Sequence, residues 1–425
     1  MAQAKVFENR PPVLGINSLG RIGKLTLWHH IGRKYFKEIV VNIGREAGTG
    51  LDSIARMIEK DATYGLLHRF LYGIKSERLI EVKDEKKGKL LIDGIPVTIL
   101  REARNPVDIP WRDYGVDLVV ECTGKFQDPT VAADDPKGSI RGHLVKGAKA
   151  VINSSAFKIK NKALSMPEDC VTLIYGINHP AFDHKKHQVV SAASCTTTGL
   201  AHMIKPLLEN EQTNTILTAS MSTVHAVTNS QNVLDSVPKA GEKDLRKNRS
   251  ILNNIILTST NAAAALSQVI PEVKNIGFMA DSIRIPTNTL SLIILNATFQ
   301  TKMNYGGAAA ALNTEAINNI YRTAAENNPE PLLIYTTEQN VSTDLIGVNA
   351  AVIIEGQFNH TRTAFIPVDL SQIPDLPANV LQALPTKTMQ VPVVHAKIFG
   401  WYDNEYGSYT NRMGDLSVHV HKSLL

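Results

Sequence analysis

The stretch "GINSLGRIGK", Gly15–Lys24, constrains this chain more than any other. It joins the apolar run "PPVLGINSL" to a segment with apolar residues at Ile22, Leu25, Trp28 and Ile31, the spacing of a helix. A glycine turn from strand to helix lets backbone amides approach a guest at the helix start, and a phosphate suits that position. Gly20 and Gly23 supply the last two glycines of a G-x-G-x-x-G pattern, with Ser18 at the first. Alone the turn is a weak signal, because any tight strand-to-helix connection can carry glycines.

Its surroundings strengthen it. "EIVVNIG" reads as a second strand and "LDSIARMIEKDA" as a second helix. "VDLVVECTG" and "GAKAVINSSA" are short apolar runs that end in small polar residues. This rhythm predicts an α/β fold with a doubly wound parallel sheet. "LIEVKDEKKGKLLIDGIPVTIL" reads as a hairpin-like insert turning at Lys87-Gly88 and Asp93-Gly94. After Cys195 the pattern changes. "TILTASMSTVHAV", "SIRIPTNTLSLIILNATF" and "VPVVHAKIFGWYD" alternate, which predicts a mainly antiparallel sheet. Residues 306–327 read as helical, and the Pro-rich stretch 366–392 as a surface loop or insertion.

Composition narrows the function. A chain of 425 residues with 43% hydrophobic and 20% charged residues has the balance of a globular enzyme with two or three domains. The net charge of +5 comes without a long Lys/Arg block, so nucleic acid is not an expected partner, and anionic small molecules are. The three cysteines, Cys122, Cys170 and Cys195, form no C-x-x-C pair, which points to a reducing compartment. "MAQAKVFENRPP" has no apolar signal core, and no run of about 18 apolar residues occurs. The expectation is a cytoplasmic protein with no membrane partner and no metal site.

In "SAASCTTTGLAHMIKPLLEN", Cys195 falls where an extended segment turns into a helix with apolar positions Leu200, Ile204, Leu207 and Leu208. A helix N-terminus favours thiolate and offers amides to an oxyanion. The plainer reading is a buried structural cysteine beside an ordinary cap. A nucleophilic thiol needs a base. His225 in "STVHAVTNSQ" lies on an alternating strand, flanked by Thr223 and Thr228. A strand histidine is more often a core residue, and sequence alone leaves the pairing open.

Several motifs occur together and in order: "GINSLGRIGK", "KDATYG", "NPVDIPW", "VDLVVECTGKF", "SAASCTTT", "TVHAVT", "NNIILTSTNAAAAL", "IRIPT" and "WYDNEYGSYTNR". The combination resembles the phosphorylating glyceraldehyde-3-phosphate dehydrogenase family over nearly the whole chain. The resemblance implies an N-terminal Rossmann-type dinucleotide-binding domain over 1–194, completed by a C-terminal helix within 404–425. It implies an α+β catalytic domain over 195–403, and a homotetramer. The implied reaction oxidises an aldehyde phosphate with inorganic phosphate to an acyl phosphate, using NAD or NADP. An erythrose-4-phosphate dehydrogenase and a non-catalytic regulatory relative are the alternatives.

By the same resemblance, Cys195 is the nucleophile and His225 the base. Ser194, Thr196 and Thr260, with Arg246 or Arg249, hold the attacking phosphate. Thr228 and Arg284 hold the phosphate of the substrate. Cofactor contacts fall at Asn17, Gly20, Arg21, Ile22, Arg45, Arg104, Thr123, Gly124, Ser154 and Asn404. The chain departs from the family pattern at Ser18, at Thr198, at Asn261 and in "SYTNR", which is shifted by one residue. Extra residues fall near the N-terminus, at about 127–142, 160–170 and 365–392. The acidic residue expected after the second strand is also missing. "VVNIGR" stands there, so Arg45 is a candidate partner for a 2′-phosphate.

Overall fold

The computed structural model describes residues 10–303 and 310–425. Residues 1–9, which make up most of the stretch examined for a signal core, lie outside them. Within the described residues the chain divides into two compact units: residues 10–198 with Ile346–Ala351 and Asp403–Leu425, and residues 199–303 and 310–345 with Val352–Tyr402. The division falls four residues beyond the boundary expected from sequence, inside a helix.

The first unit runs β1 (Val13–Asn17), α1 (Arg21–Arg33), β2 (Glu38–Asn42), α2 (Leu51–Glu59), β3 (Lys60–Asp61), β4 (Gly65–Leu66), α3 (Leu67–Tyr72), β5 (Ile80–Asp84), β6 (Lys89–Ile92) and β7 (Ile95–Leu100). It continues through β8 (Leu118–Glu121), α4 (Gly142–Val145), β9 (Ala150–Asn153), β10 (Cys170–Thr172) and β11 (Val189–Ser191) to the start of α5 (Cys195–Glu209). Nine strands form one sheet in the order β10-β11-β9-β8-β1-β2-β7-β6-β5. The seven from β10 to β7 pair in parallel, while β6 and β5 are antiparallel. The β5–β7 insert therefore extends the sheet edge. Its second turn has Asp93 and Gly94 both at positive φ (50° and 78°), as a two-residue hairpin requires.

The buried strand β1 and the buried residues Leu25, Trp28 and Ile31 of α1 share one core with Met413, Leu416 and Val420. Those three belong to the last helix of the chain.

The second unit adds β12 (Ile216–His225), β13 (Ile256–Ser259), α6 (Ala262–Val269), β14 (Gly277–Arg284), β15 (Ser291–Gln300), α7 (Thr314–Glu326), β16 (Leu333–Thr336), β17 (Val352–Glu355), β18 (His360–Asp369), α8 (Ala378–Ala383) and β19 (Thr388–Tyr402). The chain ends with α9 (Asn411–Ser423), which belongs to the first unit. The second sheet has the order β13-β14-β12-β15-β19-β17-β16, with β18 on β19. It is mainly antiparallel; β12/β14 and β16/β17 are parallel.

Two expectations need correction here. The stretch 366–392 is not irregular throughout. β18 and β19 pair continuously from His360↔Lys397 to Asp369↔Thr388, forming a two-stranded arm. Pro367 fits because β18 is an outer strand, and Pro392 contributes only its carbonyl, which accepts from the Thr301 amide at 3.1 Å. The helix expected over 306–327 begins only at Thr314, where the Asn313 side chain accepts from the Ala316 amide and caps it. Residues 306–309 lie outside the described residues. No helix among the described residues is long and apolar enough to cross a membrane.

Candidate active site

The glycine turn keeps its shape despite Ser18. That residue sits at φ 93°, in the region glycine favours, and its Oγ accepts from the Gly20 amide at 3.3 Å. A Cβ on Gly23 would meet the Ser18 carbonyl oxygen at 2.1 Å, so the third glycine is compulsory. Gly20 caps α1 without a side chain, and the first amides of the helix, at Arg21 and Ile22, face outward from its ladder.

Beside the turn lies a cavity of about 720 Å³, lined by Asn17, Ser18, Arg45, Arg104 and Thr123 among others. Asn42 is buried on its wall, and its Oδ1 has no hydrogen-bond partner. A cavity of this size, an unanswered buried acceptor and a helix start together fit the adenosine and phosphate parts of a dinucleotide.

The structure assigns other work to the side chains of four expected cofactor residues, Asn17, Thr123, Arg21 and Arg104. Asn17 donates through Nδ2 to Glu121 at 2.6 Å and accepts from Asn42 at 2.8 Å. Glu121 also meets His143 Nε2 at 3.0 Å, and His143 Nδ1 accepts from the Trp111 indole at 2.8 Å. This buried network fixes the ends of β1, β2 and β8. The Glu121 carboxylate further accepts from the Thr123 amide and hydroxyl, which shapes the loop leading to Gly124 (φ 68°). Arg21 pairs with Asp61 and Glu405. Burial opposes its charge, but the Glu405 and Asp61 carboxylates outweigh burial and hold it protonated. Its side chain is a tether, and only its amide remains for phosphate. Arg104 donates to the Gly44 carbonyl at 3.1 Å and braces the end of β2.

Asn404 is buried between two pinned neighbours. Asp403 accepts from the Tyr64 hydroxyl at 2.7 Å and from the Gly347 amide at 2.9 Å, and Glu405 is tied to Arg21. The one-residue shift in "SYTNR" is absorbed by a π turn over Tyr406–Thr410, with Thr410 N bonding Glu405 O at 2.8 Å. This turn leaves Tyr409 buried, its hydroxyl donating to the carbonyl of Ser154 at 2.6 Å.

Cys195 is the first residue of α5 and is partly exposed. Ser194 caps the helix: its Oγ accepts from the Thr197 amide at 3.1 Å and lies 2.7 Å from Thr197 Oγ1. Thr196 is buried just behind it. Ala193 sits at φ 54°, so the chain turns sharply into the helix. The other two cysteines are unsuited to attack. Burial first, then the neighbouring Glu121 or Asp169 charge, pushes the Cys122 and Cys170 thiols up to about 12. The Tyr409 hydroxyl is raised by burial and then by the charges of Cys195 and Cys122.

In the second unit, His225 ends β12 opposite Arg284 on β14. Its Nδ1 lies 2.7 Å from the Ala226 carbonyl, which fixes a proton on Nδ1 and leaves Nε2 as the basic nitrogen. Arg284 donates to the same carbonyl at 3.3 Å. Burial, then the Arg284 charge, pushes His225 down to about 3 despite the Ala226 bond, so the ring is neutral near neutral pH. Thr228 is bound into a local turn with Gln231 and Ser230. Arg246 pairs with Asp244 and Arg249 with Asp235, all within one exposed loop, so neither arginine is placed beside His225 by these pairings. Thr260 Oγ1 accepts from the Ala262 amide at 3.2 Å at the start of α6. Asn261 has φ −96°, which explains why no glycine is needed there.

Sequence reading missed the Glu121–His143–Trp111 network and three cavity lysines, Lys125, Lys137 and Lys160. The network joins residues up to 104 apart in sequence. For Lys137 and Lys160 the available signal is that the segments exceeding the family pattern carry basic residues.

Comparison with known proteins agrees with this arrangement. Residues 13–129 match the glyceraldehyde 3-phosphate dehydrogenase NAD binding domain, and residues 194–370 match the C-terminal domain of the same family. The chain is 30% identical over 407 residues to glyceraldehyde-3-phosphate dehydrogenase 1 of Bacillus cereus, covering 96% of this chain and 98% of that protein. It is 31% identical over 412 residues to the Streptomyces coelicolor glyceraldehyde-3-phosphate dehydrogenase, covering 97% and 99%. It is 32% identical over 406 residues to glyceraldehyde-3-phosphate dehydrogenase 1 of Trichormus variabilis, covering 95% of each. The chain belongs to the glyceraldehyde-3-phosphate dehydrogenase family.

Proposed function

We propose that this protein is a phosphorylating glyceraldehyde-3-phosphate dehydrogenase. The observation that carries the reading is Cys195 at the capped start of α5, within a chain that matches the family over nearly its whole length. The cofactor is NAD or NADP, held by the glycine turn of the first unit, with Asn404 on the nicotinamide end. When bound, it supplies the acceptor for the hydride that leaves the substrate carbon.

The protein performs the remaining steps. The Cys195 sulfur attacks the aldehyde carbon and forms a thiohemiacetal. The amides at the start of α5 stabilise the oxyanion. Neutral His225 takes the hydroxyl proton through Nε2 as the carbon is oxidised to a thioester. An oxygen of inorganic phosphate then attacks the thioester carbon, the C–S bond breaks, and the thiolate is restored as the acyl phosphate leaves. Arg284 and Thr228 hold the substrate phosphate; Ser194, Thr196 and Thr260 serve the attacking one. This reading takes the first unit as the dinucleotide-binding domain and the second as the catalytic domain.

We further propose self-association, with four copies as the family resemblance implies, in the cytoplasm. The exposed apolar side chains Val233, Leu234, Val237 and Ile255 in one loop region of the second unit support it.

Initial rates test the reading. With glyceraldehyde 3-phosphate and NAD, NADH should form in proportion to added phosphate, and hydroxylamine should trap an acyl phosphate. Oxidation to the free acid at the same rate without phosphate would contradict the phosphorylating assignment. A faster reaction with erythrose 4-phosphate would redirect the substrate.

A further inference from the structure

The cavity beside the glycine turn is strongly basic. Arg45, Arg104, Lys125, Lys137 and Lys160 line it, all exposed, and none of its lining residues is acidic. Lys137 and Lys160 come from the segments that exceed the family pattern. Arg45, Lys125 and Lys137 form no ion pair among the described residues. Lys160 acts on Asp128, which does not line the cavity.

The end of β2 cannot restore the missing carboxylate. Gly44 sits at φ 62°, and a Cβ there would meet the Ala103 carbonyl oxygen at 2.6 Å. Ile43 packs against the core. In a dinucleotide fold, a carboxylate at this place binds the adenosine ribose hydroxyls and repels a 2′-phosphate, whereas a nearby arginine accommodates it. Here the repulsion is gone and several cations face the same space.

We propose that Arg45, Lys137 and Lys160 form a subsite for the 2′-phosphate of NADP, so that the protein binds NADP in preference to NAD. The inference rests on the dinucleotide reading above and goes beyond it by assigning the choice of cofactor to residues of the inserted segments. A 2′-phosphate carries up to two negative charges, and arginine can engage its oxygens through two N–H groups. The lysines supply point charges, so the preference is electrostatic and sensitive to salt.

Isothermal titration of the full-length protein tests this without relying on turnover. NADP is expected to bind about tenfold or more tightly than NAD, and 2′,5′-ADP to bind more tightly than 5′-AMP. Arg45→Ala, Lys137→Ala and Lys160→Ala should each weaken NADP roughly three- to tenfold while leaving NAD within about twofold. The preference should shrink as salt rises. Equal affinity for the two dinucleotides, or a preference that survives the triple variant, would overturn the subsite while leaving the dinucleotide reading in place. If neither nucleotide binds, the dinucleotide reading fails and the subsite fails with it.

Discussion

His225 and Arg284 stand in register on adjacent parallel strands, and both address the carbonyl of Ala226. The pairing bears on how the protein responds to acid. Burial first, and the guanidinium second, press the imidazole down to about 3, against an ordinary value near 6.5. Between these values the unfolded chain binds a proton that the folded chain refuses. Stability from this group is therefore complete above about 6.5 and is lost as pH falls toward about 3. His225→Asn is expected to flatten part of the fall in urea midpoint between about pH 7 and about pH 4. Arg284→Gln removes the like charge and should raise the proton affinity of His225, followed by NMR titration. A variant whose midpoint falls with acid as steeply as wild type would show that His225 is not held neutral.

Ser18 and Gly23 test the turn from opposite sides. Ser18 holds a backbone angle that costs an L-residue about 1–3 kcal/mol, so Ser18→Gly should raise stability by about 1 kcal/mol after the loss of its hydroxyl bond and the added chain entropy. Gly23→Ala drives a Cβ into the Ser18 carbonyl and should destabilise by about 2–4 kcal/mol. Chemical denaturation of the two variants provides the comparison. A destabilised Ser18→Gly would mean that the serine hydroxyl outweighs the backbone strain.

Much of this fold is legible in the sequence because local signals agree with long-range ones. The β1–turn–α1 unit, the Asp93-Gly94 hairpin and the start of α5 each combine a periodicity with a residue demanded by the turn. Sequence alone hides the arm because proline reads as a breaker of regular structure. An outer strand tolerates proline, but whether a strand is outermost depends on partners far away in the chain. The sharp turn into α5 is legible because its signals are local, with Cys195 first in the helix and Ser194 capping it. The site is hidden where a side chain serves a distant partner. Arg21 looks like a phosphate ligand by position, yet Glu405, 384 residues later, takes its guanidinium.

Asp61 anchors that tether. Burial raises its pKa, but hydrogen bonds from Lys24 and the Thr63 amide, with the charges of Arg21 and Lys24, hold it down to about 2. A depressed carboxylate contributes stability above its ordinary value near 3.9, and that stability is lost as pH falls toward about 2. Asp61→Asn leaves two cations without their shared anion and should cost about 3 kcal/mol near neutral pH. Thermal melts of the variant should also respond less to acid below about pH 4. A melting temperature equal to that of wild type would remove the tether from the account.

The arm built from β18 and β19 is expected to be dispensable for folding. Its outer part is exposed, including Phe365, Ile366 and Met389. Ile366 pairs with Val391, so replacing residues 367–390 by Asn-Gly preserves the register. The shortened protein should keep its melting temperature within a few degrees, about the effect of 1 kcal/mol, and bind less of a hydrophobic dye. A loss well beyond that would show that the arm stabilises the second unit.

Cys195 carries the central claim, and a single-turnover experiment addresses it directly. The enzyme is mixed with glyceraldehyde 3-phosphate and oxidised cofactor in the absence of phosphate, and peptides are then mapped by mass spectrometry. The account predicts a burst of reduced cofactor matching the enzyme concentration, an acyl adduct on the Cys195 peptide, and its discharge when phosphate is added. Cys195→Ser should fold normally and show neither burst nor adduct. A full burst in the serine variant, or an adduct on Cys122 or Cys170 instead, would contradict it.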